Sequence, residues 1–134
     1  MAIGVCPIGL QEAAVVTLAT ATTYYSTGVT PSDTQEAMGW IAVWTPDGSS
    51  APTVVDVVIT PQIGASTAAA GTPGNWSDLP DAQNLTSTAA ETLRDWIRGL
   101  VPAKVRLKIQ VRNIDNGGGT LQVYWLGTAA LTEN

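Results

Sequence analysis

AKVRLKIQVRNIDNGGGTLQVYWLG, residues 103–127, contains two runs that alternate apolar and polar side chains, joined by a glycine-rich tip. In an extended chain Val105, Leu107, Ile109 and Val111 point one way and Arg106, Lys108, Gln110 and Arg112 the other, while Leu121, Val123 and Trp125 carry the apolar side into the second run. DNGGG supplies residues that tolerate positive φ, so the pattern predicts a β-hairpin. The glycines do not read as a phosphate cradle, because they join strand to strand and no helix start or lysine follows them.

Working outward, the same period of two recurs. EAAVVTLAT (12–20), TTYYST (22–27), EAMGWIAVWT (36–45) and TVVDVVIT (53–60) read as strands, separated by turn signals in VTPSD and PDGSSAP. In the third of these, Met38, Trp40, Ala42 and Trp44 share one side of the pleat and Gly39, Ile41 and Val43 the other. Trp40, Trp44 and Trp125 are therefore expected in the core. In the fourth, Asp56 is expected to face water, with Val54, Val58 and Thr60 on its side.

Residues 61–87 are crowded with Gly, Pro, Ala, Ser and Thr and read as a long loop, in which Trp76 and Leu79 should pack on something. TAAETLRDWIRGL changes the period. Leu93, Trp96, Ile97 and Leu100 stand at i, i+3, i+4 and i+7, Thr88 to Glu91 has capping-box spacing, and Gly99 follows, so a short helix is predicted, with an irregular strand through LRDWIRG as the competing reading.

The expected fold is thus all-β: one antiparallel β-sandwich, jelly-roll-like, over residues 12–134, with one short helix and an N-terminal arm at 1–11. The 134 residues are enough for a single core. The arm has no basic n-region and is too short and too interrupted to span a bilayer, so neither a signal peptide nor a membrane association is expected. Ile3, Val5, Ile8 and Leu10 would be wasted in water and are expected to order against a neighbouring subunit.

Charge is unevenly spread. The net charge is -5, yet all six basic residues lie between Arg94 and Arg112, and residues 1–93 contain neither Lys nor Arg. Six cations among eleven anions make nucleic acid a poor partner. The row Arg106, Lys108 and Arg112 reads either as a docking edge for an acidic partner surface or as a set of cations paired within the domain, with Asp56 or Glu36 on a neighbouring strand.

The sequence has no histidine and a single cysteine, Cys6, which leaves no imidazole–thiol pair, no internal disulfide and no metal cluster of the usual donors. Glu91 and Asp95 could be paired carboxylates and Asp78 and Asp81 could hold a hard cation, but a solvated helix face and turn or capping roles explain them. No enzymatic activity, metal or cofactor is expected. Trp76, Tyr24, Tyr25 and Tyr124 are the aromatics left to stack on a sugar ring, as in a carbohydrate-binding or adhesive module.

The tail PAKVRLKIQVRNIDNGGGTLQVYWLG resembles the closing hairpin of small β-sandwich virion proteins of tailed bacteriophages, notably capsid decoration (cement) proteins, over residues 90–127. The resemblance implies a structural protein made in the host cytoplasm and placed on the capsid surface. There it would bind the major capsid protein and copies of itself, often as a trimer, and stabilise the shell. A tail or fibre component would fit the same likeness.

Overall fold

The structure is a computed structural model that describes residues 9–18, 22–26, 28–30, 37–65, 76–98, 103–115, 118–127 and 132–133. The arm residues Ile3, Val5 and Ile8 lie outside them. Among the described residues all the regular structure is strand: β1 (Gly9–Thr17), β2 (Thr22–Tyr25), β3 (Val29–Thr30), β4 (Ala37–Pro46), β5 (Val55–Ala65), β6 (Trp76–Asp78), β7 (Gln83–Leu85), β8 (Glu91–Arg98), β9 (Ala103–Ile114), β10 (Gly119–Gly127) and β11 (Thr132–Glu133). Two antiparallel sheets result. Sheet A has the order β1-β10-β4-β8; sheet B runs β11-β3-β9-β5-β6, with β2 also on β9 and β7 also on β5.

The strands flanking DNGGG do not pair. β9 lies in sheet B and β10 in sheet A, so the expected hairpin is an arch whose tip crosses from one sheet to the other. Alternation looks the same in both cases. What differs is where the apolar sides go: Val105, Leu107, Ile109 and Val111 meet Leu121, Val123 and Trp125 in one core that also buries Trp40, Trp44, Val57 and Ile59. The tip is secured at several points. Gly118 takes φ +68°, Leu18 N–H donates to Gly119 O and Asp47 N–H to Gly118 O, each at 3.0 Å. Asp115 beside the tip accepts from the N–H groups of Thr53 and Val54 and from the Thr53 hydroxyl, which ties the arch to the entry of β5.

The helix predicted over TAAETLRDWIRGL is not formed. Glu91–Arg98 is the edge strand β8, paired with β4 from Ala37↔Arg98 to Trp44↔Glu91. Leu93 and Ile97 are four apart, a spacing that a helix and a strand both place on one side; pairing with β4 and burial of Ile97 select the strand. Trp96, expected on the apolar side of a helix, points outward instead and is 45% exposed.

The 61–87 segment is also more ordered than a loop. β5 runs on to Ala65, and β6 and β7 pair with its outer edge. Pro61 is what makes the strand look finished at Thr60. It sits where the neighbour of β5 changes from β7 to β6, its carbonyl accepts from Leu79 N–H at 2.8 Å, and its missing N–H interrupts no ladder there. Residues 66–75 lie outside the described residues. At the other end of the chain, β1 already includes Gly9, Leu10 and Gln11, opposite Gly127, Leu126 and Trp125.

The tightest backbone approach is at Gly119. A Cβ added there would lie 2.5 Å from Thr45 O and 2.6 Å from the Trp44 ring, whereas one at Gly48 would meet nothing within 4 Å. Gly119→Ala should therefore lower unfolding stability by about 1–3 kcal/mol through overpacking of the arch, with Gly48→Ala within about 0.5 kcal/mol of wild type, as measured by denaturant titration. Equal stability of the two variants would contradict the arch geometry.

Candidate functional site

The basic row lies on the outer face of sheet B, where β9 presents Lys104, Arg106, Lys108, Gln110 and Arg112 between β2 on one side and β5 on the other. Arg106 is buried. Its guanidinium carbon stands 4.1 Å from the centroid of the Tyr25 ring on β2 and 4.3 Å from that of Trp76 on β6. Its Nε donates to Gln62 Oε1 on β5 at 2.8 Å. One side chain thus links four strands by stacking and hydrogen bonding, and burial pulls its pKa below the ordinary arginine value.

The network continues outward. Gln62 Nε2 donates to Asp78 Oδ1 at 2.8 Å, and Lys108 Nζ reaches both Asp78 oxygens at 3.1 Å. Farther along the same face Arg112 bonds Asp56 Oδ1, through Nη2 at 2.9 Å and Nε at 3.3 Å, and Asn84 donates to the same oxygen at 3.1 Å. The Asp56–Arg112 pair is the intradomain partnership raised by the sequence; Glu36 lies outside the described residues. Thr60 and Gln62 are buried under this layer and Asp56 and Val58 are half-buried, so this side of β5 is mixed and in part covered by the domain itself, while Val54 at its start is exposed.

The aromatic candidates sort differently from expectation. Trp76 is buried against Arg106, Tyr25 is 49% exposed with Arg106 against its ring, and Tyr24 and Tyr124 are half-buried. Trp96 is the exposed tryptophan that sequence reading missed, because the helical period placed it inside.

The outer face of sheet A is the counterpart. Its register gives the rows Leu126–Gly39–Trp96, Tyr124–Ile41–Arg94 and Gln122–Val43–Thr92. Ile41, Val43, Tyr124 and Leu126 are half-buried, and the Trp96 ring lies over Gly39, where an added Cβ would stand 3.2 Å from its Cζ3. Leu10 on β1 extends the first row by pairing with Leu126.

Where the edge of β8 meets the β6–β7 connection there is a pocket of about 210 Å³ whose lining residues include Pro80, Asp81, Asp95 and Trp96. Asp95 Oδ1 accepts from Trp96 N–H at 2.8 Å and its Oδ2 from Gln83 Nε2 at 3.0 Å. Glu91 and Asp95, four residues apart on a strand, are separated by about 13 Å of chain and do not form a carboxylate pair. Among the described residues no group of three or more His, Cys, Asp or Glu could hold a metal ion.

No protein-family model matches the chain, and no curated protein matches it in sequence.

Two measurements test the sheet B network. Arg106→Lys keeps the charge but loses the planar stack and should cost about 1–3 kcal/mol, against about 0–1 kcal/mol for Lys108→Met. Asp78 is held below its ordinary value by the hydrogen bond from Gln62 and then by that from Lys108. A depressed carboxylate stabilises the fold above its unfolded pKa of 3.8 and loses that contribution as pH falls through the folded value. The melting-temperature gap between wild type and Asp78→Asn should accordingly be widest above about pH 5 and close on acidification. A gap independent of pH would show that the carboxylate charge is immaterial.

Proposed function

We propose that the chain is a non-enzymatic structural protein of a phage particle, a decoration protein that reinforces the capsid through contacts with the major capsid protein and with copies of itself. The observation that carries this reading is the contrast between the two outer faces. On sheet B, Arg106, Lys108 and Arg112 are engaged within the domain by aromatic rings, Gln62, Asp78 and Asp56. On sheet A, Ile41, Val43, Tyr124, Leu126 and Trp96 form an apolar centre beside Arg94, with Glu12 and Arg98 at register positions towards its margins. Aromatic enrichment with few charges marks the centre of a protein–protein contact.

The contact is therefore assigned to sheet A rather than to the basic row. Ile3, Val5 and Ile8 lie outside the described residues, and the proposal keeps for them the role expected from the sequence, ordering against a neighbouring subunit. The strands alternate between the sheets along the chain in the manner of a jelly roll, which agrees with the virion β-sandwich proteins that residues 90–127 resemble. A trimer on the capsid surface follows from that likeness.

Co-sedimentation with empty capsids and analytical ultracentrifugation test the assignment. The wild-type chain should bind shells and self-associate; Ile41→Glu with Tyr124→Glu should weaken shell binding at least about tenfold while leaving the thermal transition cooperative, because both positions are on the outer face. Removal of residues 1–8 should weaken attachment in the same direction. A strictly monomeric chain that ignores shells would overturn the proposal, and loss of binding confined to basic-row variants would move the contact back to sheet B.

A further inference from the structure

The pocket beside β8 has a chemistry of its own. Its walls are apolar: Pro61, Leu79, Pro80 and Ile97, with Trp96 at the side. Among the described residues its charged lining residues are Asp81 and Asp95, and none of them is basic. Apart from the Trp96 indole N–H, the polar side-chain atoms it offers are acceptors.

Those acceptors have capacity to spare. Each Asp95 oxygen takes one hydrogen bond, from Trp96 N–H or from Gln83, and a carboxylate oxygen can take two. Asp81 is exposed and stands at φ 71°, a left-handed conformation that few residues other than glycine, asparagine and aspartate adopt. The turn thus holds a carboxylate at the pocket instead of the glycine that this conformation would favour.

A matching ligand must bring donors, a positive charge and an apolar stem. Sugars match less well, because each hydroxyl also accepts and the pocket provides almost no donors. Anions are repelled. An arginine or lysine side chain has donors only and lays its methylenes along apolar walls. About 210 Å³ is below the range of roughly 300–1,000 Å³ for drug-sized sites, which suits one side chain and not an extended ligand. We infer that this pocket is a receptor for a single cationic side chain, arginine or lysine, presented by a protein partner. The inference rests on the proposed role in assembly only for the source of the side chain; the preference of the pocket is independent of it.

The test uses the full chain and a small probe, N-acetylarginine methylamide, with its uncharged isostere N-acetylcitrulline methylamide and methyl β-glucoside as comparisons. Binding is followed through the backbone resonances of residues 79–83 and 95–97 and the Trp96 indole N–H. The arginine probe should shift these resonances with saturable, salt-sensitive behaviour, the other two should not, and Asp81→Asn, which keeps the left-handed turn, should weaken binding about tenfold. Equal response to citrulline or glucoside, no response to arginine at tens of millimolar, or undiminished binding by Asp81→Asn would each overturn the inference. A chain that binds the arginine probe but not capsids would leave the pocket standing and remove the assembly role; capsid binding without probe binding would do the reverse.

Discussion

Burial of three tryptophans from one sheet against aliphatic residues of the other is the constraint on which this fold depends. Trp40, Trp44 and Trp125 come from β4 and β10; Val57, Ile59, Leu107 and Ile109 come from β5 and β9. Neither set can be covered within its own sheet, since side chains on one face of a sheet point the same way. The chain must therefore pass repeatedly between layers, and the arch at DNGGG is one such passage. The clamp of Asp115 on Thr53 and Val54 and the close fit of Gly119 against Thr45 and Trp44 are the local terms of that requirement.

Strand identity was legible wherever a period of two stood between turn residues, as in EAMGWIAVWT, whose Met38, Trp40, Ala42 and Trp44 are all buried as the alternation required. Pairing partners were not. A run such as VRLKIQV states which side is apolar and leaves open whether the next run lies beside it or across from it. β8 failed for a different reason: Leu93 and Ile97 satisfy both periods, and what decides between them is the waiting edge of β4, a tertiary term absent from the local sequence. The crowding of Gly, Pro, Ala, Ser and Thr after Thr60 reads as a loop, yet β5 continues through Pro61, which is accommodated where β5 changes neighbours.

The basic row was legible as a face but not in its state. Alternation placed Arg106, Lys108 and Arg112 together, and the Asp56 partner of Arg112 could be named from charge alone. The Tyr25–Arg106–Trp76 stack could not, because it joins residues from β2, β9 and β6 whose adjacency is a product of topology. The same holds for the pocket, whose walls come from residues 61, 79–81 and 95–97. Exposure of Trp96 was lost together with β8, since a helical period had turned its ring inward.

Asp95 also bears on how the chain behaves in crowded company. An edge strand advertises unpaired main-chain donors, and in a protein synthesised in quantity such an edge is the usual start of stacking into fibrils. On β8 the Trp96 N–H is already taken by the carboxylate of the preceding residue, itself held by Gln83. The strand thereby withholds one of its donors from strangers while leaving the adjoining indole on display.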